Sequence, residues 1–113
     1  MKLGDIVCCL NIDHRKLTEY ALSLESPRGR HKAIVFEQAL GFTQDNYTDL
    51  LEQIKKNILK EEATLHGEDG FGRRYTVDIN MCGKEGQQAI ARTGWLVPHG
   101  AKEARLITLY VRR

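Results

Sequence analysis

The 113-residue sequence predicts an α+β domain in which N-terminal helices pack on a four-stranded antiparallel meander sheet. Three observations lead there. Apolar residues recur at helical spacing between about residues 14 and 60. They alternate at period two between about residues 63 and 112. The strand candidates are joined by turns too short for a crossover.

Asp13 is a plausible N-cap for a helix from about His14 to Leu24, with Leu17, Tyr20, Ala21 and Leu24 on one stripe. Pro27 and Gly29 break the chain after it. A second helix is expected from Arg30 or His31 to Leu40, with Ala33, Phe36, Ala39 and Leu40 turned inward and Gly41 as its stop. A third is expected from Asp45 or Asn46 to Lys60. It carries Leu50, Leu51, Ile54, Ile58 and Leu59, with acids early and lysines late as the helix dipole favours. The segment from Ala63 to Gly67 is a weaker strand candidate. The run from Arg74 to Met81 alternates, with Tyr75, Val77, Ile79 and Met81 on one face. Gln88 to Val97 follows, with Ala89, Ala91, Thr93, Trp95 and Val97 opposite Ile90, Arg92, Gly94 and Leu96. In the last strand, Ala104 to Arg112, strict alternation puts Leu106, Thr108 and Tyr110 opposite Ile107, Leu109 and Val111. With helices on one face, the other face of the sheet is left for solvent or a ligand.

The length suits one domain, residues 1–113, with its own core. Hydrophobic residues at 42% and charged residues at 28% exclude wholesale disorder, a collagen repeat and a coiled coil. No apolar run approaches the ~20 residues of a membrane span, and the N-terminus lacks the pattern of a signal peptide. Cys8, Cys9 and Cys82 lack the spacing of a disulfide framework or a zinc site. They are expected to be reduced, cytoplasmic thiols packed as small hydrophobes, and neither metal nor cofactor is expected.

The overall charge of +2 hides a pattern. Residues 1–36 carry a net +2, residues 37–69 a net −5 and residues 70–113 a net +5. If the basic flanks meet in space, they form a cationic face suited to a polyanion such as nucleic acid. The plain alternative is a surface of scattered, solvated charges.

Two clusters could carry chemistry. Arg28-Gly29-Arg30-His31-Lys32 opens the second helix, where backbone N–H groups already attract phosphate. Guanidiniums add bidentate donors and an imidazole exchanges protons near neutrality. RNA cleavage through the ribose 2′-hydroxyl needs such a set: cationic donors for the phosphate, a base and an acid. The alternative is a solvated basic turn with a surface histidine. The second cluster is Arg92-Thr93-Gly94-Trp95, with the chain's one tryptophan. Its hydroxyl could hold a phosphate and its indole could stack on a base, or the pair could simply fill the core. Arg74, Arg105, Thr108 and Tyr110 on neighbouring strands are further candidates for binding RNA, with Lys32 and Arg92. His14, His66 and His99 lie far apart, with no metal-binding spacing.

Basic-x-basic-His at a helix start, followed much later by Ser/Thr-x-Trp on a strand, resembles the nuclease domain of colicin D and the wider barnase–EndoU–colicin–RelE group of toxin ribonucleases. The stretch from about Leu17 to Val111, with PRGRHKA, YTVD and RTGW in order, also looks like a small bacterial domain found at toxin tips. The resemblance implies a metal-independent endoribonuclease toxin that cuts tRNA. It implies His31 as acid/base, Arg28 and Arg30 as phosphate contacts, Thr93 as a donor to the phosphate and Trp95 as an orienting or stacking residue. An acidic antitoxin or immunity protein is the implied partner. Here Arg stands for Lys in the first motif and Thr for Ser in the second. The rival reading is a non-catalytic module that binds RNA or protein through the same basic face.

Overall fold

The computed structural model describes residues 1–112 as an α+β fold with a five-stranded mixed sheet. The strands are β1 (Cys9–Asn11), β2 (Ala63–Asp69), β3 (Gly72–Cys82), β4 (Gln88–Pro98) and β5 (Glu103–Val111), in the spatial order β1-β5-β4-β3-β2. β2 to β5 form the antiparallel meander that the alternation predicts. β1 is the correction: it pairs parallel to β5, Cys9 to Asn11 against Glu103 to Arg105. Three residues show no period, and β1 exists only because β5 lends it a partner from the other end of the chain.

Helix α1 (Arg30–Leu40) ends where expected, at Gly41, whose φ of 74° is left-handed. Helix α2 (Tyr47–Asn57) is entered through a 3₁₀ turn in which Thr43 and Asn46 cap each other's backbone N–H groups, and it leaves through a second 3₁₀ turn, Ile58–Lys60. The side-chain amide of Gln53 on α2 pairs with both backbone groups of Cys82 and pins the helix to the end of β3. The core lies between the helices and one sheet face. Phe36, Leu40, Leu50, Ile54 and Ile58 meet Val77, Ile79, Met81, Trp95 and Leu109 there, all at most 1% exposed. Each such side chain contributes about 1.5–3 kcal/mol by leaving water.

Three expectations are corrected. The first helix is a short π-helix, Lys16–Ala21, closed by a hydrogen bond from Leu22 N–H to the carbonyl of Leu17. Asp13 does accept the N–H of Arg15 before it. The wider turn ends the helix early and leaves Leu24 exposed rather than on the apolar stripe. In β5 the alternation is interrupted: Gly94 faces Thr108 but Trp95 faces Leu106, so Ile107 is an extra, bulged residue. Leu106 therefore joins Leu109 and Val111 in the core, and Ile107 joins Thr108 and Tyr110 on the open face. Cys8, Cys9 and Cys82 are exposed rather than buried, because the short β1 lies at the sheet's edge and Cys82 at a strand end. No helix among the described residues is long and apolar enough to cross a membrane.

Candidate nucleic-acid interface

The sheet face turned away from the helices carries a groove of about 390 Å³. Arg74 and Thr76 of β3, Arg92 and Gly94 of β4, and Thr108 and Tyr110 of β5 line it, with His66 of β2. Two bulges flank it. In β2, Leu65 faces Tyr75 and Gly67 faces Arg74, so His66 is the extra residue. The Ile107 bulge of β5 stands on the far side of β3 and β4, near the same level. Bulges bend a strand and re-aim its side chains, and this pair hollows the face between them. Gly94 belongs to the same device: a Cβ there would come within 2.5 Å of the Thr108 hydroxyl.

The arginines of the sheet are held by carboxylates. Arg92 binds Asp78 through two hydrogen bonds of 2.9 and 3.1 Å, and Arg112 shares the same carboxylate at 2.9 Å. Arg74 pairs with Asp69 at 2.9 Å and Arg105 with Glu103 at 3.1 Å. The hydrogen bond from Arg92, reinforced by the charges of Arg92 and Arg112, keeps the Asp78 carboxyl below its ordinary pKa. Arg74 and the N–H of Phe71 do the same for Asp69.

Thr93 and Trp95 lie on the opposite side of β4. Thr93 is fully buried and Trp95 only 1% exposed. The Thr93 hydroxyl donates to the carbonyl of Val77 at 2.7 Å and accepts the indole N–H of Trp95 at 2.7 Å. Their backbone runs beneath the groove while their side chains face the core, so neither the hydroxyl nor the indole presents itself to a ligand in the groove.

Arg28, Arg30 and His31 are exposed at the start of α1. His31 and Lys32 line a second, largely apolar crevice of about 240 Å³ with Val35, Tyr110 and Val111. Tyr110 borders both hollows, and through it the basic start of α1 adjoins the sheet groove. The structure thus gathers Arg74, Arg92, Thr108 and Tyr110 in one groove, and His31 and Lys32 in a separate crevice that shares Tyr110 with it. His31 and Thr93 line no common hollow. Arg105 is on the open face beside Glu103, outside the groove lining.

Thr76 and Tyr20 carry no site signal in the sequence, and His66 stands out there only as an isolated histidine. The bulge that re-aims His66 has no signature in a single sequence. Among the described residues, no group of three or more His, Cys, Asp or Glu side chains is gathered as a metal site would be.

No curated protein and no solved structure matches the chain. A family description does, across residues 2–113, and the chain belongs to that family, the domain of unknown function DUF6883.

Proposed function

We propose that this chain is a metal-independent endoribonuclease of the toxin type, acting in the cytoplasm on an RNA strand, with tRNA the foremost substrate, laid along the open face of the sheet. The observation that carries the reading is the double role of Tyr110. It lines both hollows and so stands between two basic stretches remote in sequence, which together offer phosphate donors, hydroxyls, an aromatic ring and imidazoles.

In the proposed reaction the ribose 2′-oxygen bonds to the adjacent phosphorus as the bond from phosphorus to the 5′-oxygen breaks. The 2′-hydroxyl proton passes to a base and the departing 5′-oxygen takes one from an acid. The products are a 2′,3′-cyclic phosphate and a 5′-hydroxyl. His31, beside the crevice, takes the 2′-hydroxyl proton, and water protonates the departing 5′-oxygen. Arg74, Arg92 and Thr108 stabilise charge on the phosphate oxygens, Tyr110 stacks on a base, and Arg28 and Arg30 guide the approaching strand. Thr93 and Trp95 shape the floor from below. An acidic antitoxin or immunity protein covers the cationic surface until release.

One observation favours the rival reading of a non-catalytic RNA-binding module. The Thr93 hydroxyl and the Trp95 indole, catalytic by resemblance, are occupied with each other in the core. The deciding experiment is incubation of the purified chain with total tRNA, with end-group analysis of any fragments. The nuclease reading requires cyclic-phosphate ends and their loss in His31→Ala with tRNA binding retained. Intact tRNA bound by wild-type protein at high concentration would leave only the binding module.

A further inference from the structure

We infer that the Lys32 ammonium, held between the rings of Tyr20 and Tyr110, is the cation that contacts the scissile phosphate. This rests on the phosphodiester reading above and locates its reacting centre at the Tyr110 end of the groove.

Lys32 is partly buried. Its Nζ donates to the Tyr20 hydroxyl at 3.0 Å and lies 4.7 Å from the Tyr20 ring centroid and 5.4 Å from that of Tyr110. None of the ion pairs among the described residues includes it. A partly desolvated ammonium is ordinarily compensated by a carboxylate. Here the compensation is the faces of two aromatic rings and one phenolic oxygen, which attract the cation without neutralising it. One of its three N–H donors goes to Tyr20, which leaves capacity for an anion.

The surrounding chain is shaped to bring Tyr20 to Lys32. Tyr20 sits on the π-helix, a rare geometry that recurs at functional sites. Its backbone packs so closely on the entry to α1 that a Cβ at Gly29 would stand 1.9 Å from the Tyr20 carbonyl oxygen. Ser26 accepts the Gly29 N–H at 3.1 Å and fixes that approach. On the other side, Tyr110 is paired in register with Arg92 across the sheet. A phosphate at Tyr110 therefore meets Lys32 from α1 and Arg92 from β4, with the His31 imidazole lining the same crevice.

The test compares wild type, Lys32→Met and Arg28→Ala/Arg30→Ala in single-turnover cleavage of total tRNA, with thermal melting and tRNA gel shifts alongside. Methionine keeps the length of the side chain and removes the charge. Lys32→Met is expected to slow cleavage by about 10²–10³-fold, the usual cost of losing one transition-state donor, with melting and tRNA binding largely preserved. The double arginine variant is expected to act chiefly on KM. Cleavage by Lys32→Met within about threefold of wild type overturns the inference, as does a loss fully explained by unfolding. Rescue by Lys32→Arg to within about tenfold supports a charge contact. If wild type cleaves no RNA, the nuclease reading fails separately and the site is judged with inorganic phosphate. Phosphate-induced NMR shifts at Tyr20 and Tyr110 that vanish in Lys32→Met would sustain an anion site; no shift in wild type would overturn it.

Discussion

In the stretch Arg28–Lys32 no cation has a carboxylate partner among the described residues, whereas in Arg92–Trp95 every polar side chain is engaged within the protein. Arg92 is clamped by Asp78, and Thr93 is spent on Val77 and Trp95. The first stretch is held by backbone devices, the π-helix and the close approach at Gly29, and keeps its charges free. The second is held by side-chain hydrogen bonds and keeps nothing free except the hollow above Gly94. The proposed recognition of a polyanion needs both: cations with unspent charge, and a floor rigid enough to present them.

The contrast breaks hardest at Trp95. Trp95→Ala should lower the unfolding free energy by about 3–5 kcal/mol in a denaturant titration, because it empties the centre of the core. Thr93→Val should cost about 1–3 kcal/mol by orphaning the indole N–H, with any RNA affinity of the folded protein preserved. If either substitution abolished binding without loss of stability, the inner pair would belong to the site after all.

Asp78→Asn sharpens the same contrast by releasing Arg92 and Arg112. Because the pair is a third exposed, solvent screening limits the stability loss to about 1 kcal/mol. The freed guanidiniums should tighten RNA binding and steepen its salt dependence. The sign of the pH effect follows from the lowered carboxyls. Asp78 and Asp69 have folded-state pKa values below their unfolded ones, so their contribution is present at neutral pH and lost as pH falls through the lowered folded values. Thermal melts of Asp78→Asn should therefore fall less steeply under acid than those of wild type.

The smallest effect is expected at Arg28 and Arg30. Alanine at both should leave the melting temperature unchanged and reduce the slope of log Kobs against log salt by about 0.7 per lost contact with single-stranded RNA. An unchanged slope would mean that these two guanidiniums do not touch the strand.

Much of the fold was legible because its period is local. Tyr75, Val77, Ile79 and Met81 alternate without interruption, and α1 keeps its stripe until Gly41. What escaped depends on pairing at a distance. Nothing near Cys9 indicates that β5 will adopt it as a parallel neighbour. The Ile107 bulge exists only in the register of β5 against β4, and one extra residue there moves Leu106 to the other face. The π-helix escaped because Leu17, Tyr20 and Ala21 fit an α-helix equally well. At the site, charge and residue type singled out Lys32, Arg74, Arg92, Arg105, Thr108 and Tyr110 as candidates for binding RNA, but not the face or hollow each would occupy. The Thr-x-Trp spacing was legible as a pair on one strand face, but which face it occupied depended on helices elsewhere in the chain.

The burial of Trp95 has a practical corollary. As the chain's one tryptophan, shielded from water and hydrogen-bonded to a hydroxyl, it is an intrinsic optical probe that needs no label. Its emission should shift to the red when the core opens. Fluorescence can therefore sort variants that merely unfold from those that keep their architecture and lose a proposed contact to RNA.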